Sequence, residues 1–230
     1  MTTNVRKTRT TGRKSGRMSK AGRSALSTIL PLIKLCTESV MDKADVFGRE
    51  APLYLEIGFG TGAFLSEKAA TAPQHDFIGI EIYVTGISKL LVNLISQEDP
   101  DALSITNVRV FNKDARSVLE NNIPPDSFDG IYILFPDPWP KKKHHKRKLI
   151  NPEFAAILFP RLKAQGYIVV ATDSDEYATE IESSFASAGF VIEGEDLSDI
   201  SRTAFALKAA KDNRQFNRYR FVKAGIRLVE

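Results

Sequence analysis

The chain has 230 residues, 43% of them hydrophobic and 26% charged, with a single cysteine, Cys36, and a formal net charge of +4. Those values suit one soluble globular domain with its own core. They exclude an internal disulfide framework, and no apolar run approaches the roughly 18 to 20 residues of a membrane span. No membrane partner is therefore expected.

Charge is unevenly spread. Residues 1–24 hold eight of the 32 basic residues and no acid, so the remaining 24 face 28 acids in an acidic body. The Thr, Ser, Gly, Lys and Arg composition of this arm cannot bury apolar surface, and 1–24 is read as disordered. It suits a solubilising tail or an RNA-contacting arm equally, with an organellar transit peptide as a third reading. Residues 25–52 form an irregular or partly helical lead-in, interrupted by Pro31, and 53–230 form the main domain.

From residue 53 onward, strand-length apolar runs alternate with helical spacing. Strands are expected at 53–58, 76–82, 107–115, 128–137, 166–173 and 190–197, with a further strand within 220–230. Helices are expected at 62–72, 84–96, 116–121, 152–164 and 174–188. Asn151 before Pro152 reads as an N-cap, and Gly166 and Gly189 read as C-cap glycines. Alternation of this kind predicts a doubly wound α/β fold with a mainly parallel sheet in a single domain.

The first strand runs into "LEIGFGTG", which puts Gly58, Gly60 and Gly62 where strand turns into helix. Glycines there let backbone amides approach a ligand. Alone, the triplet fits any tight strand-to-helix turn, and its spacing is not the dinucleotide G-x-G-x-x-G. Glu56 precedes the turn, Glu81 falls near the end of the second strand, and Asp114 follows the third. Ligands of open α/β sheets sit at the carboxyl ends of the strands, where all three acids map. Three carboxylates make a poor phosphate site and a good one for an adenosine carrying a positive centre, which describes S-adenosylmethionine. No metal is expected.

The fourth strand ends in "FPDPWPKKKHHKRK", residues 135–148. Prolines 136, 138 and 140 stiffen the loop that presents Asp137. Trp139 suits base stacking or a plug at the edge of the core. Lys141 to Lys148 read as a phosphate-binding surface beside the pocket, against the plainer reading of solvated charge.

Taken together, "LEIGFGTGAFL", "FIGIEI", "KDA", "FPDPWPKKKHHKRKLI" and "VVATD", in this order, resemble the tRNA (guanine-N7-)-methyltransferase family of class I S-adenosylmethionine-dependent enzymes. The resemblance covers residues 53 to about 173. It implies methyl transfer to N7 of a variable-loop guanine, position 46 in tRNA, with tRNA rather than DNA as partner. It implies Glu56, Gly58, Glu81, Asp114 and Asp137 as cofactor contacts and Asp137 as the catalytic residue. Lys141 and Asp173 are the implied substrate contacts. The family's C-terminal "T-x-F-E" segment has its nearest match in "RQFN", which keeps Phe216 and puts Arg214 and Asn217 at the substrate positions.

Guanine N7 already holds an in-plane lone pair, so His144 and His145 are not needed as a general base. Two other classes remain open: an RNA-binding protein on an inactive methyltransferase scaffold, and an adenine amino-group methyltransferase. The second commonly shows "[DNS]-P-P-[YFW]" where this chain has "FPDPW". With no evident signal, a cytoplasmic location is expected.

Overall fold

The computed structural model describes residues 17–99, 101–194 and 216–225. Within them, helices α1 (Lys20–Thr28), α2 (Leu30–Ile33) and α3 (Lys43–Phe47) precede the sheet. Then follow β1 (Leu53–Ile57), α4 (Ala63–Thr71), β2 (Asp76–Ile80), α5 (Val84–Leu94), β3 (Val108–Phe111) and α6 (Ala115–Asn121). The remainder is β4 (Phe128–Leu134), α7 (Pro152–Leu158), β5 (Leu162–Thr172), α8 (Asp175–Ser187), β6 (Phe190–Gly194) and β7 (Asn217–Lys223). The strands form one seven-stranded sheet in the order β3-β2-β1-β4-β5-β7-β6. Strands β1 to β5 pair in parallel, and β7 inserts antiparallel between β5 and β6.

Alternate residues of each strand serve opposite faces, as the pleat requires. Leu53, Leu55 and Ile57 of β1 join Ile78 and Ile80 of β2 under α6, α7 and α8, which contribute Val118, Phe154, Leu158, Ile181 and Phe185. On the other face Phe77, Val108 and Val110 meet Leu65 and Ala69 of α4 and Ile87, Leu90 and Leu91 of α5. Parallel pairing covered on both faces is what a repeated strand–helix alternation produces.

The lead-in belongs to this second layer. Ala25, Ile29 and Ile33 are buried there, and α1 packs on α5. Ser19 caps α1 by accepting from the Gly22 N–H, so the boundary expected at residues 24 and 25 falls inside a helix. Pro31 separates α1 from α2, as its missing donor requires. Among the described residues no helix is long and apolar enough to cross a membrane.

Several edges differ from the sequence reading. The helix expected to run to Ala164 ends at Leu158, followed by a single 3-10 turn over Phe159–Arg161, and β5 starts at Leu162. Gly166 is thus a strand residue and not a C-cap; a Cβ there would lie 2.9 Å from the Phe128 carbonyl oxygen. Pro160 explains the early stop, since it removes a donor from the last turn. The last strand spans 217–223, overlapping the stretch expected within 220–230 but beginning before it, and β6 is described only to Gly194. Asn151 does cap α7, accepting from Phe154 N–H, and Gly189 does close α8 in the left-handed region at φ 88°.

Candidate active site

Strands β1 to β4 all point their carboxyl ends at one rim, and a cleft of about 300 Å³ opens there. Gly58 and Gly60 line it with φ of 72° and 55°, and a Cβ added at either would stand in open space. Side chains at these two positions would fill the cavity, so the turn keeps it clear. Gly86, at the start of α5, answers a different need: a Cβ there would lie 2.2 Å from the Gly60 carbonyl oxygen. The turn and α5 are in direct backbone contact.

Glu81 holds this turn together. Its Oε2 accepts from Gly60 N–H at 2.9 Å, and its Oε1 accepts from Ile82 N–H at 2.7 Å and Tyr83 N–H at 2.9 Å. Burial pushes its pKa up, the three amides pull it down, and nearby Asp137 raises it again. Oε1 is filled by its two amides, whereas Oε2 accepts only one and keeps a second lone-pair direction for a ligand hydroxyl.

Glu56 lies beneath, 4% exposed, with Oε2 buried and unpartnered. Burial first and Glu81 second push its pKa from 4.5 up to about 8, against a Leu65 N–H that lowers it. Asp114 lines the cleft and spends Oδ1 on capping α6 through Ser117 N–H at 3.1 Å. The strand expected to run to residue 115 stops at Phe111, because Asn112 turns away to donate to the Glu81 and Ile82 carbonyls.

After β4 the backbone changes character. Phe135 and Trp139 adopt φ of 53° and 44°, a region that bulky residues avoid, and they flank Asp137. The strand expected to reach residue 137 therefore ends at Leu134. Asp137 stands at the rim, and partial withdrawal of its carboxyl from water raises its pKa. Trp139 joins none of the apolar clusters; Arg147 lies over its ring at 5.0 Å and His144 meets it edge-on at 5.5 Å. Its indole Nε1 is buried without a partner.

The basic run forms a 3-10 turn over Lys142–Arg147. Lys141, Lys143 and Lys146 are exposed, as a phosphate-binding surface needs. Lys148, expected to belong to that surface, is instead buried at 4% exposure. Its Nζ donates to both Glu180 oxygens at 2.8 Å and sits over the Tyr177 ring at 5.1 Å. Its neighbours pin the same end of the loop: Ile150 N–H donates to Tyr177 Oη, and Arg116 donates to the Leu149 carbonyl. Tyr177 is pushed well above the ordinary tyrosine range, mainly by burial.

Of the expected substrate residues, Lys141 and Asp173 are exposed and do not line the cleft. Asn217 opens β7 opposite Thr172, next to Asp173, and donates to Asp175 Oδ1 at 2.8 Å. Phe216 packs edge-on against Phe135 at 5.2 Å, so the C-terminal segment reaches the Asp137 loop. Arg214 lies outside the described residues. Arg147, read from sequence as part of the basic surface, lines the cleft, as does Tyr83, which was not singled out from sequence and carries a buried, unpartnered hydroxyl.

Residues 50–218 match the family model described as "Putative methyltransferase". A tRNA (guanine-N7-)-methyltransferase of Nitrosospira multiformis is 42% identical over 169 residues, which cover 73% of this chain and 71% of that protein. One from Pseudomonas savastanoi pv. phaseolicola is 41% identical over 193 residues, 83% of this chain and 77% of that protein. The chain belongs to the tRNA (guanine-N7-)-methyltransferase family. Solved structures agree on the fold: an antibiotic-related methyltransferase superposes with a TM-score of 0.57 at 20% identity, over 80% of this chain and 96% of its own. The 16S rRNA methyltransferase KamB gives 0.56 at 12%, over 80% and 93%.

The cleft of this family member suits the family's methyl donor. Two glycines leave room against bare backbone, and Glu81 and Asp114 offer acceptors for hydroxyl and amino groups. Two buried polar atoms, Tyr83 Oη and Trp139 Nε1, belong to cleft residues and lack partners. Carboxylates at Glu81 and Asp137 favour a cationic centre. These features fit S-adenosylmethionine, with Glu81, Asp114 and Asp137 as the residues that would hold it.

Proposed function

We propose that the protein transfers a methyl group from S-adenosylmethionine to N7 of a guanine in tRNA, the variable-loop guanine 46. The observation that carries this is 42% identity over 169 residues to a tRNA (guanine-N7-)-methyltransferase, together with a methyltransferase family match over residues 50–218, which hold the carboxylate cleft and the basic turn beside it. When bound, S-adenosylmethionine supplies an electrophilic methyl group on a positively charged sulfur.

The protein's contribution is alignment and charge. Glu81 keeps the Gly60 turn shaped around the nucleoside end, and Asp114 offers an acceptor beside it. Asp137, at the β4 end of the cleft, is the catalytic residue. Positive charge migrates from sulfur to the purine during transfer, and a carboxylate fixed nearby stabilises it along the way. Partial withdrawal from water raises the pKa of this carboxyl and strengthens its interaction with a nearby cationic centre. N7 attacks with a lone pair it already has, so no residue removes a proton. His144, whose pKa is pushed down by withdrawal from water and by the charges of Arg147, Lys143 and Lys141, serves as a neighbour of Trp139. Lys141 and the exposed lysines around it hold tRNA phosphates, a contribution to affinity and not to base choice.

Methyl transfer from labelled S-adenosylmethionine to paired tRNA transcripts tests the reading. One transcript keeps the variable-loop guanine and its mate carries adenine there. Label confined to the guanine transcript, and released by cleavage chemistry specific for N7-methylguanosine, is the expected result. Cofactor binding with no transfer to either would favour an RNA-binding scaffold instead.

A further inference from the structure

We infer that Trp139 is the seat on which the target purine stacks while its N7 is methylated. This rests on the methyl-transfer reading above and adds a residue that composition and spacing left undecided between base stacking and core packing.

Four observations carry it. First, Trp139 lines the cleft two residues after Asp137 and belongs to none of the apolar clusters, so packing does not account for it. Second, its known ring neighbours are polar: Arg147 on the face at 5.0 Å and His144 at the edge. Third, its backbone is held at φ 44° and its indole N–H is buried unpartnered. Both features cost stability, and features of this kind cluster at active sites and ligand clamps. Fourth, the exposed cations Lys141, Lys143 and Lys146 flank it in sequence, so a base resting on this ring has its phosphates beside positive charge.

The chemistry gives this ring more to do in the transition state than in the ground state. N7 donates its lone pair to the methyl carbon, the carbon–sulfur bond breaks with its electrons kept by sulfur, and no proton moves. The purine thereby changes from neutral to cationic. An indole face attracts a cationic ring more strongly than a neutral one, so stacking here acts on kcat more than on binding. Arg147 draws on the same π-system, which keeps the cationic product from being held too tightly. Tyr83 and Ala115 line the cleft beyond β2 and β3, on the far side of β1 from Trp139, which leaves that end for the cofactor's nucleoside.

Trp139 is the chain's single tryptophan, so its emission reports on this ring alone. With S-adenosylhomocysteine saturating, emission is followed on adding a tRNA bearing the target guanine, or a matched tRNA abasic at that position. Quenching by the first and not the second, with both bound by filter assay, is the expected result. Equal response to the two overturns the inference. So does quenching by S-adenosylhomocysteine alone with no further change, which would make Trp139 a wall of the cofactor pocket. Trp139→Phe, read in parallel, should lower kcat roughly tenfold with the tRNA KM within about twofold and S-adenosylhomocysteine affinity unchanged by dialysis; an unchanged kcat counts against stacking. Wild-type methyl transfer to the same guanine transcript separates the two readings: no transfer removes the proposed reaction, whereas transfer without a guanine-dependent quench removes only the role of Trp139.

Discussion

The loop after β1 and the loop after β4 share one rim and are built in opposite ways. Around the first, strain is taken up by glycine and the backbone amides are spoken for: Gly60, Ile82 and Tyr83 all donate to Glu81. The second carries its positive φ angles on Phe135 and Trp139, leaves an indole N–H without a partner, and is held at its two ends, by Phe135 N–H on the Ala171 carbonyl and by Lys148, Leu149 and Ile150. One side is finished before any ligand arrives. The other holds its costs in reserve, which is where an enzyme that must capture a nucleotide from a large folded RNA needs adaptability.

That contrast can be broken most directly at Asp137. Asp137→Ala should lower methyl transfer by about 10²- to 10³-fold while tRNA binding, followed by filter assay, changes by no more than about threefold. Parallel loss of both would show the loop to be a binding element only. On the finished side, Glu81→Ala removes three charge-assisted hydrogen bonds, and the S-adenosylmethionine Kd measured by calorimetry should rise roughly tenfold to a hundredfold. A smaller change would mean that the turn holds its shape without the clamp.

Glu56 sharpens the comparison through pH. Its pKa in the folded chain, about 8, stands above the ordinary 4.5. The folded state therefore keeps a proton that the unfolded chain has lost, and stability falls as pH rises from about 4.5 to 8. Glu56→Gln lacks this fall. In urea titrations the variant should match wild type near pH 4 and exceed it by up to a few kcal/mol at pH 8.5. A constant offset across that range would contradict the buried-acid account. Lys148→Met probes the anchor of the unfinished side. Glu180 is 42% exposed and returns to water, so the loss is expected near 1–2 kcal/mol of stability with a fall in kcat. The mildest effect belongs to the outer surface: neutralising Lys141, Lys142 and Lys143 together should raise the tRNA KM several-fold and flatten its salt dependence.

Sequence alone reached the strand–helix alternation, the glycine turn and the acids at strand ends, because those features depend on local periodicity and on neighbours within a few residues. It misjudged Gly166 and Lys148 for a shared reason. A glycine after a helical run and a lysine inside a basic run each have a usual role, and only their partners across the fold, Phe128 and Glu180, reverse it. Positive φ at Phe135 and Trp139 leaves no trace in residue type. Pairing of Asn217 beside Thr172 likewise depends on a strand inserted out of sequence order.

That insertion also bears on how the molecule is made. During synthesis β5 emerges with one edge already taken by β4, and the next strand to appear, β6, runs in the same direction as β5 after a helical crossover. Nothing in that order of appearance stops β6 from docking in the vacant slot; only residues 217–223, arriving later, fill it. A chain whose early strands pair as they emerge has an open sheet edge and a competing neighbour until those residues arrive, an arrangement open to trapping and aggregation. The Phe135–Phe216 contact at the rim of the cleft needs the residue next to β7, so the strand that completes the sheet also brings the last ring to the rim.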